Sequence, residues 1–377
     1  MGSVLYQQGV TLVELMVAMT IGLFILGGVI SVVLSAKHTY TLQDQQARIQ
    51  ENLRFALDQI TSELRMVGYS ACGDTAKVVS TVDYDSADDE FWMTNSEGIE
   101  GYDGNAGLGV SDFPVPFDGD AYIHDAENNA AKNSDMIILR RGENGSGGDL
   151  TITNHKANSA ELDIFPSPHN IEPGTILIMA DADCSKVAIF QHTGSNANKI
   201  HHQKDNSSSP GNCEKVLSGT DGASCGTGGI DHQGSGAGSF ADGSKIMEFK
   251  VSGYYVGLNG RSVPALYKRS LSLTGAALTS GAQELVEGVE RLQFRYGVDT
   301  NDDGVADRYL AANDVTSAQW GQVDAVRVQL QIRSIGPVHS EDTDFTYTDI
   351  NGDNLTYSDR FARNVVTRTI ALRNRGF

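Results

Sequence analysis

The chain has 377 residues, of which 40% are hydrophobic, and a formal net charge of −20 at pH 7. This length allows a membrane segment and about one or two domains, and the apolar fraction is sufficient for a core. The negative charge disfavours direct binding to nucleic acid, because contacts with phosphates require Lys and Arg. It is compatible with a well-solvated surface and with binding of divalent cations.

The first predicted element is an apolar helix with one carboxylate near its start. Glu14 begins the apolar stretch, and no residue from 15 to 36 carries a charge. This stretch can cross a bilayer, which takes about 20 apolar residues in a helix. An ionisable group inside such a segment is costly, so Glu14 is expected to have a function and a partner. The simpler alternative is an uncleaved signal anchor in which Glu14 has no role.

The predicted helix continues beyond the apolar stretch. No proline interrupts residues 10–68, so we expect one continuous helix, with residues 10–36 in lipid or among other helices and 37–70 as its amphipathic half. The amphipathic half is predicted to lie against a globular domain. Its apolar stripe recurs at steps of three and four residues, at Ile49, Leu53, Ala56, Ile60, Leu64 and Val67.

Residues 71–377 alternate β-like runs with turn-rich stretches. The pattern predicts an α+β fold, in which an antiparallel sheet packs its apolar face on the amphipathic half of the helix. Residues 193–243 are rich in Gly, Ser and Asn and are predicted to form a flexible insertion. The runs that predict strands are 135–141, 150–153, 175–180, 186–190, 245–257, 265–273, 292–298, 326–332 and 365–372.

An acidic segment, DTNDDGVAD (299–307), has the spacing of a calcium loop. Oxygen donors recur at alternate positions, and Gly304 stands where such loops turn sharply. The bidentate acid expected at position twelve is missing, because Leu310 occupies it, so a complete EF-hand is excluded. A shorter calcium loop and a hairpin turn that binds nothing are the two alternatives. The predicted ligands are Asp299, Asn301, Asp303, Asp307 and the backbone carbonyl of Val305.

The stretch GVTLVELMVAM (9–19) resembles the processing site of type IV prepilins. The resemblance implies that a prepilin peptidase removes the leader 1–9 by cutting after Gly9, and that Val10 becomes the methylated N-terminus. Glu14 would then attract the terminal amine of a neighbouring subunit. Two features depart from the family pattern. Val10 replaces the usual phenylalanine, and the leader has no basic residue.

Residues 48–73, 284–310 and 363–377 resemble minor pilins of the PilW family. The resemblance implies a structural subunit that primes or caps assembly of the type IV pilus in a minor-pilin tip complex. Its implied partners are other minor pilins, the major pilin, the inner-membrane assembly platform and a tip adhesin. The protein would span the inner membrane once and then enter the periplasm and the extracellular pilus. The alternatives are a minor pseudopilin of type II secretion and a membrane-anchored, calcium-dependent adhesive module.

The interpretation of the four cysteines depends on the same resemblance, because a pilin domain folds in the oxidising periplasm. Disulfides are therefore expected, and three pairings are open. The preferred pairs are Cys72–Cys184, which would tie the helix exit to the sheet, and Cys213–Cys225, which would close the insertion. The competing interpretation is a zinc site whose ligands are His201, His202, Cys213, Cys225 and His232, although their spacing matches no familiar zinc pattern.

No catalytic function is predicted. The GASCG motif (222–226) matches the nucleophile-elbow pattern but lacks a preceding strand and a following helix. The sequence contains neither an H-E-x-x-H zinc motif nor a P-loop. Calcium is the only cofactor that the sequence predicts.

Overall fold

The computed structural model describes residues 11–72, 77–82, 98–104, 134–145, 148–204, 210–217, 239–274 and 277–374. The leader 1–9, Val10, Cys225 and the GASCG motif lie outside the described residues.

The predicted continuous helix is confirmed as α1 (Leu12–Met66), which has 55 residues and is therefore about 80 Å long. Thr11 is its N-cap, with an extended backbone. The helix stops where Gly68 adopts a positive φ of 70°, a conformation that glycine takes without strain. The Gly68 amide then donates to the carbonyl of Arg140, so the chain leaves the helix directly onto a strand.

The two halves of α1 have different surroundings. Its first buried residue is Ile49, and the side chains before that position are exposed or only partly covered. The buried set contains the predicted stripe and confirms that the second half packs on the domain: Ile49, Leu53, Ala56, Leu57, Ile60 and Leu64.

The described residues of the domain form seventeen strands. They are β1 (Lys77–Ser80), β2 (Ile99–Tyr102), β3 (Met136–Glu143), β4 (Leu150–Lys156), β5 (Glu161–Phe165), β6 (Ile176–Ala180), β7 (Lys186–Gln191), β8 (Lys199–His201), β9 (Lys245–Leu258), β10 (Pro264–Thr274), β11 (Ala277–Glu287), β12 (Val289–Val298), β13 (Arg308–Leu310), β14 (Val323–Arg333), β15 (Thr343–Thr348), β16 (Asn354–Asp359) and β17 (Arg363–Ala371).

These strands form two main sheets and a separate hairpin, where the sequence predicted one sheet. The larger sheet has eleven strands, with β1-β7-β6-β9-β4-β5-β8 as its main path and β2, β3, β10 and β11 attached through β9. The smaller sheet has the order β13-β12-β14-β17, and β15 pairs only with β16. Pairing is antiparallel as predicted, except that β1 runs parallel to β7.

The amphipathic half of α1 shares one hydrophobic core with the smaller sheet and with part of the larger one. This arrangement confirms the α+β prediction. The alternating residues of β12 and β14 supply the sheet side of this core, and all are 0–1% exposed: Leu292, Phe294, Tyr296, Val326, Val328, Leu330 and Ile332.

Cys72 and Cys184 form a disulfide across 112 residues of chain, as preferred from the sequence. It joins the segment after α1 to the turn between β6 and β7. Closing a loop of about 100 residues stabilises a fold by up to about 5 kcal/mol in the chain-entropy account. Cys213 is also disulfide-bonded. Because Cys225 lies outside the described residues, the pairing Cys213–Cys225 stays a prediction.

The described parts of the predicted insertion 193–243 pack on the larger sheet. Strand β8 pairs with β5, and Ile200 within it is fully buried. The Asn212 side chain bonds both backbone groups of Gln191, which fixes the 210–217 segment against β7. Leu217 is also buried. Flexibility of the remainder stays a prediction.

One buried acid fastens α1 to the larger sheet. Glu63 is 6% exposed and pairs with Arg141 of β3 and with Lys268 of β10, whose Nζ lies 2.6 Å from the carboxylate. Asp58, on the same helix, makes only exposed contacts with Arg54 and Arg368.

Substitution of Glu63 should therefore destabilise the protein much more than substitution of Asp58. Glu63→Ala removes the carboxylate that Lys268 pairs with and leaves Arg141 paired with the more exposed Glu143. Loss of one partner of a buried ion pair typically costs about 3–5 kcal/mol. Asp58→Ala should cost less than about 1 kcal/mol, because its ion pairs are exposed. Urea unfolding of the full chain in detergent, followed by near-ultraviolet circular dichroism, measures both. Equal losses would contradict the assigned role of Glu63.

Candidate assembly helix and acidic loop

The first half of α1 is an uncovered apolar surface. Phe24 is 85% exposed, Leu12 76% and Ile30 51%, although each is a residue type that normally avoids water. Soluble monomers rarely expose contiguous apolar patches of more than a few hundred Å². Among the described residues, α1 is also the one helix long and apolar enough to cross a membrane. This half must therefore be covered by lipid or by other helices.

Glu14 lies in the first turn of α1. The Thr11 hydroxyl accepts a hydrogen bond from the Glu14 amide at 3.3 Å, which caps the helix start. The carboxylate therefore lies at the positive end of the helix dipole and is exposed. Within the described part of the chain it forms no salt bridge, and its pairing with an amine of another subunit stays a prediction.

Two residues of this helix were missed from the sequence. Thr11 could have been found, since T-x-x-E before an apolar run is a helix-start signature. His38 could not, because its Nε2 atom lies 2.9 Å from the carbonyl oxygen of Val338, three hundred residues away in the chain. This contact joins α1 to the β14–β15 loop near the end of the exposed first half of the helix.

The predicted calcium ligands lie together in the loop between β12 and β13. Asp299 is only 2% exposed, and its carboxylate accepts hydrogen bonds from the backbone amides of Asn301, Asp302 and Gly304 at 3.1, 2.7 and 2.7 Å. The Asp307 carboxylate accepts from the Thr300 amide at 2.7 Å. These carboxylates therefore hold the loop closed through its own backbone.

The other predicted ligands are used in the same way. The Asn301 side-chain oxygen accepts from the Asp303 amide at 3.0 Å, and the Asp303 carboxylate accepts from the Val305 amide at 2.9 Å. Over the ranges that the structure describes, no group of three or more His, Cys, Asp or Glu side chains is placed to hold a metal ion. Calcium binding stays a prediction.

The hydrogen bonds stabilise the charged form of both acids. Burial of Asp299 opposes ionisation, but the amides of Gly304, Asn301 and Asp302 outweigh it and hold the pKa of Asp299 well below its usual range. Hydrogen bonds from the hydroxyl and amide of Thr300 lower the pKa of Asp307. A carboxyl whose pKa is lower in the folded than in the unfolded state stabilises the fold at pH values above its unfolded-state pKa. This stabilisation is lost as the pH falls towards the folded-state pKa.

The zinc alternative is not favoured by the structure. Cys213 is in a disulfide and has no thiolate to offer. His202 is fully buried, with its Nε2 atom 3.2 Å from the Nε2 atom of His155. Burial lowers the pKa of His202 to about 3 and that of His155 to about 4, so both are neutral at pH 7. His155 Nδ1 accepts from the Phe240 amide, so His155 carries its proton on Nε2, facing His202.

These features resemble those of a pilin subunit: one long helix is apolar and uncovered in its first half and carries a β-rich domain on its second. Residues 5–30 match the prokaryotic N-terminal methylation motif, and residues 253–374 match the family described as type IV pilus-assembly protein W. Together the two matches support a type IV prepilin-like protein of the PilW kind. The motif and the apolar helix fit anchoring of a pilin in the inner membrane. No curated protein and no solved structure gives a significant match.

Asp299 should contribute more to stability than Asp303. Asp299→Ala removes a buried carboxylate that accepts from several backbone amides of the loop, so it should clearly lower the unfolding midpoint temperature, whereas Asp303→Ala should change it little. Thermal unfolding of the full chain in detergent measures both variants. The same experiment with millimolar calcium and with a chelator tests calcium binding, because a bound ion raises the midpoint of the wild type. An unchanged midpoint in both conditions would contradict the calcium prediction.

Proposed function

We propose that this protein is a minor pilin that primes or caps assembly of a type IV pilus as part of a tip complex. The observation that carries the proposal is the uncovered apolar half of α1, which begins within the methylation-motif match and has Glu14 in its first turn. A soluble role leaves this surface in water, whereas a bundle of pilin helices covers it completely.

The N-terminus would be made by cleavage after Gly9 and methylation of Val10. The new terminal ammonium, on Val10, would lie about one helical turn before Glu14 of the same chain. In a bundle it would also come close to Glu14 of a neighbouring subunit. Glu14 has no salt-bridge partner within the described residues and would pair with the ammonium of the next subunit. In a bundle with little water, such a pair fixes the register of the helices more reliably than it adds stability.

The β domain would face outward and contact partner subunits. Its family implies other pilins and the assembly machinery as partners. The finer partners that we propose are the major pilin, other minor pilins, the inner-membrane platform and a tip adhesin. The protein would move from the inner membrane into the pilus, and its role would be assembly rather than catalysis. A calcium ion at the 299–307 loop would stiffen the edge of the smaller sheet.

Mass spectrometry of the N-terminal peptide tests the processing step. We expect a peptide beginning at N-methylated Val10 in membrane fractions of the native organism, and the same peptide in sheared pili. The control is a strain without prepilin peptidase, in which the peptide should begin at or near Met1. An intact leader in the mature wild-type protein would instead favour a static membrane anchor.

Glu14→Gln should separate membrane insertion from assembly. Removal of the charge keeps the helix apolar, so the variant should reach the membrane normally. Its recovery in sheared pili should fall by about ten-fold or more, which corresponds to a loss of about 1.4 kcal/mol in subunit docking. Glu51→Gln is the matched control, because Glu51 is also an exposed glutamate of α1. Wild-type recovery of Glu14→Gln would refute the proposed pairing.

A further inference from the structure

The last strand of the smaller sheet has an open edge. In the part of the chain that the structure describes, β17 pairs with β14 and with no other strand. The pairing runs from Arg363 opposite Arg333 to Ala371 opposite Ala325 without a shift in register. Strand β17 is therefore a long, regular edge.

The ladder shows which backbone groups of β17 face away from the sheet. Just beyond its two ends, the Leu372 amide donates to the Asp324 carbonyl and the Ser334 amide donates to the Ala362 carbonyl, both at 2.8 Å. Both contacts continue the same register, and bonded residues alternate in an antiparallel ladder. Even-numbered residues of β17 therefore bond β14, and the outward amides and carbonyls belong to the odd-numbered residues Arg363, Val365, Thr367, Thr369 and Ala371.

Apart from the charges of Arg363 and Arg368, strand β17 lacks the devices that normally block an edge. It has nine residues and contains neither proline nor a bulge. Natural proteins usually protect such edges with proline, bulges, very short strands or inward-pointing charges. Thr367 and Thr369 are exposed. Threonine and valine, which make up four of the nine residues of β17, favour an extended backbone. The edge is thus ready to receive another strand.

The surroundings of this edge are basic, although the chain as a whole is acidic. Residues 363–375 contain four arginines and no Asp or Glu. The Arg368 side chain is 45% exposed and lies 3.4 Å from Asp58 on α1. Asp58 also contacts Arg54, at 3.7 Å, and Arg65 lies on the same flank of the helix. Arg54 and Arg368 therefore share one carboxylate, whereas Arg363 is already paired with Glu290 and Asp359.

We propose that β17 receives an extended acidic segment of another subunit of the assembly as an added strand. This inference rests on the proposed function and identifies β17 as the surface on which a partner subunit docks. The guest strand would bond the outward groups of β17, and its Asp or Glu side chains at alternate positions would face Arg368 and the arginines of α1. A second copy of β17 fits poorly, because antiparallel self-pairing brings arginines of the two copies together.

Residue-resolved hydrogen exchange tests the proposal. The full chain is compared alone in detergent and in complexes isolated from native membranes through an affinity tag. We expect the amides of Val365, Thr367, Thr369 and Ala371 to exchange at least about ten-fold more slowly in the complexes. The amides of Val366, Arg368 and Ile370 should be slow in both samples, because they already bond β14. Equal exchange of the odd-numbered amides in both samples would overturn the proposal.

Two substitutions at one position separate backbone pairing from side-chain contact. Thr369→Pro removes an outward amide without removing a bond to β14, so it should abolish the added protection and reduce complex recovery. Thr369→Ala keeps the amide and should behave as wild type. Loss of recovery in both variants would indicate contact through the strand face instead, against the proposal. Thermal unfolding confirms that each variant is folded, and the wild-type exchange comparison remains decisive if Thr369→Pro is not.

A photoreactive amino acid at Ala371 identifies the occupant. We expect cross-links to an extended segment of one partner that carries Asp or Glu at alternate positions, weakened by Arg368→Glu. Cross-links to a second copy of this chain, or to a segment without acidic residues, would overturn the assignment. If Val10 is processed and Glu14 is required but the edge stays open in the complexes, the proposed function stands and this inference falls. If the chain enters no complex, both fall.

Discussion

The structure depends on one helix that has to satisfy two environments at once. Phe24 is 85% exposed on the first half of α1, whereas Ile60 and Leu64 on the second half are fully buried against the sheets. A continuous helix keeps its two ends in a fixed relation, because each turn is hydrogen-bonded to the next. In the proposed bundle, the position of Glu14 would therefore determine where the β domain lies, and contacts of the domain would act back on the bundle through the same helix.

The two sheets are held around this helix by polar contacts as well as by the core. The Asp135 amide donates to the Leu292 carbonyl, and its carboxylate accepts from the amides of Phe294 and Gly104, which links the start of β3 to β12. Burial raises the pKa of Asp135 to about 7, so this carboxyl titrates near neutral pH. Asp135 thus fixes the two sheets relative to each other, and Glu63 fixes the larger sheet relative to α1.

The elements that could be predicted from the sequence are those with a strong apolar period. The stripe of α1 and the alternation in β12 and β14 are examples, because burial on one face imposes a period of 3.6 or 2 on the residues themselves. The hairpin β15–β16 was missed because it packs through polar contacts, such as Arg291 with Asp349 and the Tyr347 hydroxyl with Gln331. Division into two sheets was missed as well, since it depends on long-range pairing. Glu14 was found because it is a lone carboxylate at the start of an apolar run, whereas the partners of Glu63 and His38 lie far away in the chain.

The acidic loop and the open edge differ in how their backbone groups are hydrogen-bonded. The loop bonds its amides within the domain, whereas the edge leaves some of its amides and carbonyls to an outside partner. In the loop, carboxylates such as Asp299 accept hydrogen bonds from the amides that the turn leaves free, so the backbone of the loop is held by its own side chains. Along β17, the ladder leaves alternate amides and carbonyls directed outward, beside arginines that share a single carboxylate. Water satisfies these groups in the isolated chain, and another strand satisfies them equally well while it also neutralises charge. Because this edge lies beside α1, a guest strand there would be held next to the helix that enters the bundle, so docking of the domain and registration of the helices would reinforce each other.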